Sequence, residues 1–435
     1  MNHKVGKVDV ITMGCSKNLI DSERLMAMLE GTGITVRHNP ERVKADVAVV
    51  NTCGFIGDAK EESIEMILEM TKAKQEGLIK SLFVMGCLSQ RYPEELKESI
   101  PEVDGWYGKF DWPGIVRTLK GDDSKIHRPW DRVVTTRSHS AYVKISEGCN
   151  RRCAFCAIPL ITGPHHSREV TEILEEVRTL ARGGTKEFNI IAQDLSSYGM
   201  DLTHRQLLPE LIDSIADIPG VEWIRLHYAY PAQFPREVLK VMAQRENVCS
   251  YLDIALQHIS DPVLSNMRRN ISAAETRDLI AEIRETVPGI HLRTTLMVGF
   301  PGEGEKEFDE LMDFVAQTRF ERMGAFAYCE EEGTWGAKKF IDNIPADEKQ
   351  RRLDAVMALQ QDISDDIQQG KIGKTFNVLI DEKENEYYVG RTEWDSPEVD
   401  PVVLIKSDKK IIPGEFYNVK VNGATPFELY GNVEQ

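Results

Sequence analysis

Between residues 7 and 329 short apolar segments alternate with helical stretches, and this alternation restricts the fold more than any other feature of the chain. The first three segments, "VDVITMG", "ADVAVVNT" and "SLFVMG", are followed by the helical patterns "NLIDSERLMAMLEG", "DAKEESIEMILEMTKAK" and "QRYPEELKESI". Strands that alternate with helices connect by right-handed βαβ crossovers and form parallel sheets. In such a sheet all carboxyl ends line one edge, where ligands bind. Each of these strands finishes at a cysteine: Cys15, Cys53 or Cys87. Three thiols far apart in sequence are therefore expected to converge.

Six more strand candidates follow: "AYVKISEG", "EFNIIAQD", "WIRLHYAY", "YLDIALQH", "HLRTTLMVGF" and "RMGAFAYC". Helical stretches near 169–182, 206–216, 235–244, 273–286 and 305–318 separate them. Six βα units predict a parallel barrel, complete or partial, with its site at the carboxyl ends of the strands. Leu353, Val356, Leu359, Ile363 and Ile367, spaced by three and four, predict a long helix. From about residue 368, "TFNVLIDEKENEYYVGRTEWDSPEVDPVVLIKS" and "EFYNVKVNGATPFELYGNV" carry strand-like runs and turn residues, which predict a small antiparallel β-barrel. The polar, aperiodic "GDDSKIHRPWDRVVTTRSHS" (121–140) reads as a linker. The expected domains are 4–121, 135–367 and 368–435.

A length of 435 residues is too great for one core and agrees with this division. No apolar run is long enough to cross a bilayer, and "MNHKVGKVDVITMG" lacks the features of an export signal, so a cytoplasmic protein with no membrane partner is expected. A formal charge of −17 argues against a broad phosphate-binding surface and favours a basic partner. Eight cysteines in a reducing compartment point to metal binding or catalysis rather than disulfides.

The string "SEGCNRRCAFCAIP" sets Cys149, Cys153 and Cys156 in a C-x3-C-x2-C spacing directly after the first strand of the central unit. Three thiolates in one short loop can hold three irons of a cubic cluster and leave the fourth open to substrate. A zinc site is the alternative; it needs a fourth ligand, for which His165 and His166 are nearest. "TTLMVGFPGE" (294–303) offers Gly299 and Gly302 as points of close backbone approach to a ligand, and "AQDLSSYG" (192–199) is placed to line the same mouth. Three cysteines on one sheet edge can hold a second cluster in the same way. Cys249 and Cys329 have no motif partner and read as structural or incidental.

The C-x3-C-x2-C string, with Phe155 before its last cysteine, resembles the radical S-adenosylmethionine (SAM) superfamily. The resemblance implies a 4Fe-4S cluster whose open iron binds SAM and cleaves it to a 5′-deoxyadenosyl radical. The whole arrangement, a three-cysteine parallel-sheet domain, a radical SAM partial barrel and a TRAM-like terminal barrel, is similar to the methylthiotransferase family. That similarity implies two 4Fe-4S clusters, ligated by Cys15, Cys53 and Cys87 and by Cys149, Cys153 and Cys156, with Gly299 and Gly302 beside SAM. One SAM would methylate a sulfur held at the first cluster. The radical from a second would take a hydrogen from the substrate carbon, which then captures the methylthio group.

Within that family, "GCSKNLIDSE" (14–23), "RLHYAYP" (225–231), "DIALQHIS" (253–260) and "DSPEVD" (395–400) resemble the branch that modifies the β-carbon of an aspartate in the small-subunit ribosomal protein uS12. The branch that modifies a tRNA adenosine usually carries Gln-Met-Asn after its first cysteine, where this chain has Ser16-Lys17-Asn18. Residues 372–435 hold seven Lys and Arg against twelve Asp and Glu, a balance suited to a basic ribosomal protein or small subunit rather than to tRNA. Ala255, Thr162 and Ser16 depart from residues common in this branch, and none of them is a cluster ligand. His227 and His258 end barrel strands, where contact with SAM or substrate and a structural hydrogen bond are both open readings. The branch also implies external electron and sulfur donors. A non-catalytic iron–sulfur carrier is the reading from another class; it would not form 5′-deoxyadenosine.

Overall fold

The computed structural model describes residues 5–121, 131–407 and 409–434. Its first sheet contains β1 (Lys7–Thr12), β2 (Thr35–His38), β3 (Ala45–Thr52), β4 (Ile79–Gly86) and β5 (Gly105–Trp106) in the order β2-β1-β3-β4-β5. Every pairing in it is parallel. The strands are nearly continuous Val, Ile, Leu and Met runs because both faces are covered. Val8, Val10, Val47, Val49 and Met85 pack under the helix Ser16–Gly31, and Ala48, Val50, Leu82 and Val84 under the helix Gly57–Gln75. The three cysteine-bearing strands are neighbours with level ends: Thr12 pairs with Asn51, and Thr52 with Gly86.

The central unit is an open six-stranded parallel sheet of β6 (Ser140–Lys144), β9 (Glu187–Ile191), β10 (Trp223–Ala229), β11 (Val248–Ile254), β12 (His291–Val298) and β13 (Arg322–Ala327) in sequence order. A two-stranded ribbon, β7 (Ser146–Glu147) and β8 (His166–Ser167), brackets the loop between its first strand and first long helix. One face of each strand supplies Phe188, Ile190, Ile224, Leu226, Leu252 and Leu292 to the core beneath the helices. By the two-residue period of a strand, Glu187, Asn189, Arg225, His227, Tyr251, Asp253 and Arg293 face the other way. The interior of this partial barrel is therefore polar. The long helix Ala346–Gln369 closes one side through Val356 and Ile363, with Leu353, Leu359 and Ile367 packed against the same core.

The terminal barrel is closed by β14 (Thr375–Glu384), β15 (Tyr387–Arg391), β16 (Val402–Ile405), β17 (Phe416–Ala424) and β18 (Glu428–Val433). Four of its pairings are antiparallel, and β16 with β18 is parallel. It sits at the amino ends of the central strands. Arg391 forks onto Glu187 through two bonds of 2.7 Å and onto Asp381 at 2.7 and 2.9 Å, all buried. Asp395 pairs with Arg322 and Asp400 with Arg293, each at 2.5 Å.

The stretch read as a linker is more firmly placed than expected. Residues 122–130 lie outside the described residues, but Arg132 is buried and joins Glu23 of the first unit (2.8 Å) to Glu176 of the second (3.0 Å). An aperiodic sequence can be rigid when long-range ion pairs hold it. Among the described residues no helix is long and apolar enough to cross a membrane.

Candidate active site

Cys53 and Cys87 directly follow β3 and β4, and Cys15 comes three residues after β1. The turn before Cys15 needs glycine: Gly14 has φ +87°, and a β-carbon there would stand 2.8 Å from Cys53 Cβ and 3.1 Å from its Sγ. On the other side Gly54 packs against the Cys87 carbonyl carbon, which a β-carbon would approach to 2.8 Å. Asn18 ties the turns together. Its Nδ2 donates to the carbonyls of Met13 and Thr52, each at 3.0 Å, and its Oδ1 accepts from the Cys87 thiol at 3.5 Å.

Burial pushes the Cys87 thiol up to about 12, against the pull of the Lys109 ammonium, and burial also raises Cys53. Cys15 is the most exposed of the three. Enclosure by neighbouring protein acts to raise its thiol, but Lys17, the amides of Asn18 and Lys17, and Lys109 together bring it below its ordinary value. Lys109 is itself buried, with Nζ 2.6 Å from Asp21; the other Asp21 oxygen accepts from Lys144 at 2.5 Å, and Lys144 also pairs with Glu147. This chain of alternating charges runs from the first sheet into the central unit.

The second trio occupies the loop between Glu147 and the helix Ile158–Thr162. Ala154 anchors it, donating to the Met267 carbonyl at 2.9 Å and accepting from the Gly336 amide at 2.7 Å. Arg269 donates to Cys153 Sγ at 3.2 Å, and the Tyr230 hydroxyl lies 3.6 Å from the same sulfur. That hydroxyl donates to the Arg269 carbonyl at 2.8 Å, and the Tyr230 ring is flanked by the guanidiniums of Arg269 (4.1 Å) and Arg151 (4.3 Å). Burial pushes Cys149 up to about 12 and raises Cys156 too. The two trios adjoin: Cys87 shares one apolar cluster with Ala157 and Ile161, and the helices Cys87–Arg91 and Ile158–Thr162 are in contact.

The donor chemistry fits iron–sulfur clusters. Among the described residues no group of three or more His, Cys, Asp or Glu side chains is placed to hold a single metal ion. His165 engages Ser167 at 3.1 Å through Nε2, and the His166 side chain is exposed. Each trio is all thiol and has a buried cation beside it to offset thiolate charge, Lys109 by its field and Arg269 by donating to Cys153 Sγ.

Residues 7–108 match the Uncharacterized protein family UPF0004, residues 143–315 the Radical SAM superfamily and residues 372–433 the TRAM domain. The ribosomal protein uS12 methylthiotransferase RimO of Phocaeicola vulgatus is 58% identical over 431 residues, 99% of this chain and 100% of that protein. The chain belongs to the uS12 methylthiotransferase family. The proteins of the same name from Parabacteroides distasonis (57%; 98% of this chain, 99% of that protein) and Cytophaga hutchinsonii (47%; 98% of each) also match across their length. Among solved structures, the radical SAM methyltransferase TsrM from Kitasatospora setae superposes with a TM-score of 0.54 at 16% identity, covering 73% of this chain and 72% of that one. At that identity it shares the fold alone.

In this uS12 methylthiotransferase family member two glycines shape the turn after β12. Gly299 and Gly302 have φ of +75° and +97°, and the space a β-carbon would take is filled by Lys349 and Asn266, each at 2.4 Å. They are glycine to turn the chain and admit neighbouring side chains. The Gly299 amide donates to Glu303 (2.9 and 3.0 Å), which also meets His258 (3.2 Å) and Arg352 (2.7 Å). His258 thus belongs to the frame of that turn. His227 is buried between Asn189 (3.3 Å) and Asp253 (4.0 Å), and burial with Arg225 nearby pulls it well below its ordinary value. Cys249 is packed against Trp223, Tyr251 and Leu379, and Cys329 is exposed.

Sequence reasoning gave no role to Asn18, Lys109, Tyr230 or Arg269, whose contacts join segments distant in sequence. Two of the acids counted in the terminal barrel, Asp395 and Asp400 of "DSPEVD", are internal partners of Arg322 and Arg293.

Proposed function

We infer that this chain transfers a methylthio group to the β-carbon of an aspartate in ribosomal protein uS12. The observation that carries the reading is the adjacency of two all-thiol trios, joined through Cys87, Ala157 and Ile161, in a chain whose relatives of that name match end to end. The radical SAM match supports one iron–sulfur cluster and SAM; the second cluster, on the first sheet, is our reading of its three converging thiols. When bound, these groups supply the sulfur, the electron and the hydrogen-abstracting radical that an unactivated C–H bond requires, since no side-chain base removes that proton readily.

The chain supplies ligands, charge and shelter. Cys149, Cys153 and Cys156 would hold the SAM-cleaving cluster, with Arg269 and Tyr230 fixing Cys153. Cys15, Cys53 and Cys87 would hold the sulfur-bearing one, with Asn18 and Lys109 setting geometry and charge. Gly299 and Gly302 would shape the SAM-side turn through Glu303.

A basic substrate finds support on the terminal barrel even without Asp395 and Asp400. A cavity of about 380 Å³ there is lined by Glu382, Glu384, Glu398 and Glu428, with Arg137 and the buried Arg391–Asp381 pair at its wall. Such a surface attracts a basic protein of the small subunit and repels tRNA phosphate. Electron and sulfur donors and a cytoplasmic setting complete the reading. Anaerobically reconstituted protein with SAM, reductant and sulfide, offered uS12 or tRNA, tests it: a gain of about 46 Da on one aspartate of uS12 is expected. Addition to tRNA would overturn the substrate, and absence of 5′-deoxyadenosine would favour a carrier.

A further inference from the structure

Lys17 stands two residues after Cys15, in the first turn of the helix Ser16–Gly31. A cation there opposes the helix dipole, and that turn holds no acidic residue to balance it. Its ammonium meets an aromatic face: Nζ lies 3.3 Å from the centroid of Tyr228. Tyr228 is itself unusual. It has φ +67°, a region that bulky residues avoid, at a register shift between Leu226 and Ala229 in β10. The irregularity brings Tyr228 beside His227 at the carboxyl end of the strand, where the first unit's Leu19 and Ile20 pack on Tyr142, Ile191 and Tyr228. Lys17 therefore lies where the first sheet's cysteine edge meets the mouth of the central barrel, close enough for its charge to act on Cys15, His227 and Asp253. Asp253 is not hydrogen-bonded to it, and burial pushes that carboxyl up to about 6.

We propose that the Lys17 ammonium, held over Tyr228, receives the side-chain carboxylate of the target aspartate and so sets its β-carbon between the two cysteine trios. This rests on the function proposed above and names the residue that selects its substrate. An ammonium fits this task because an aspartate carboxylate is one bond from the carbon to be modified. SAM also carries a carboxylate, so the test separates the two.

The experiment uses full-length reconstituted wild type, Lys17→Met and Lys17→Arg, with uS12 and with uS12 in which the target aspartate is asparagine. Iron per chain is measured first, then KM for uS12 and for SAM separately. Lys17→Met should keep its iron, raise KM for uS12 by about 10- to 100-fold, the scale of one charged hydrogen bond, and leave KM for SAM unchanged. Lys17→Arg should recover most of the loss, and the wild-type preference for aspartate over asparagine should narrow in Lys17→Met. An unchanged KM for uS12, a rise in KM for SAM instead, or loss of iron in both variants would each overturn the proposal. Wild-type protein that leaves uS12 unmodified would refute the underlying function and the proposal with it.

Discussion

Replacing Arg391 with Met should detach the terminal barrel from the central unit. Arg391 makes four charge-assisted bonds of 2.7 to 2.9 Å, two to Glu187 and two to Asp381, and all three side chains are buried. Removing the guanidinium leaves two carboxylates in a buried interface. Arg225 at 3.1 Å and Ser140 at 2.7 Å still serve Glu187, and His139 at 3.0 Å still serves Asp381, so neither acid is wholly abandoned. Breaking a buried pair by deleting one partner costs about 3–5 kcal/mol. For a domain of this size that lowers the melting temperature by about 12 °C or more. Scanning calorimetry should show the barrel transition separating from the rest, and limited proteolysis should cut between the helix Ala346–Gln369 and β14. Arg391→Lys keeps the charge but not the fork and should fall between. A variant that melts and digests like wild type would refute the claim that this fork holds the barrel in place.

The same interface should respond to acid. Despite burial, which acts to raise them, Glu187, Asp381 and Asp395 are held below the ordinary carboxylate value by Arg391, Arg391 and Arg322 respectively. Depressed folded-state values give stability that is complete above the unfolded value near 4 and lost as pH falls below it, so barrel release followed by fluorescence should begin below about pH 4; release centred above pH 5 would contradict this. Lys109→Met leaves Asp21 with Lys144 alone and should lower stability by about 3 kcal/mol and reduce iron at the first trio, measured by denaturation and iron assay. Arg269→Leu removes the donor to Cys153 and should shift the reduction potential of the central cluster in spectroelectrochemistry, with methylthio transfer reduced; an unchanged potential would count against that role.

The parallel sheet, the partial barrel and both cysteine trios were legible because each depends on local pattern. A strand period followed by a helix period announces a crossover, and chain direction then sends Cys15, Cys53 and Cys87 to one edge. What escaped depends on contacts between distant segments. Arg269 reaches Cys153 across 116 positions, and Lys109 reaches Asp21 across 88, without any spacing to mark them. Net charge is also blind to local pairing: composition counts Asp395 and Asp400 as acid without showing that Arg322 and Arg293 meet them. The linker shows the same limit, since the ion pairs of Arg132 with Glu23 and Glu176 span distant segments.

The central claim is that the first sheet holds a second cluster whose sulfur reaches the product. Iron per chain after anaerobic reconstitution, measured together with methylthio transfer, tests it most directly. Wild type should carry about eight irons, and Cys15→Ala/Cys53→Ala/Cys87→Ala about four, still forming 5′-deoxyadenosine but adding no methylthio group to uS12. Eight irons in that triple variant, or undiminished transfer, would contradict the account.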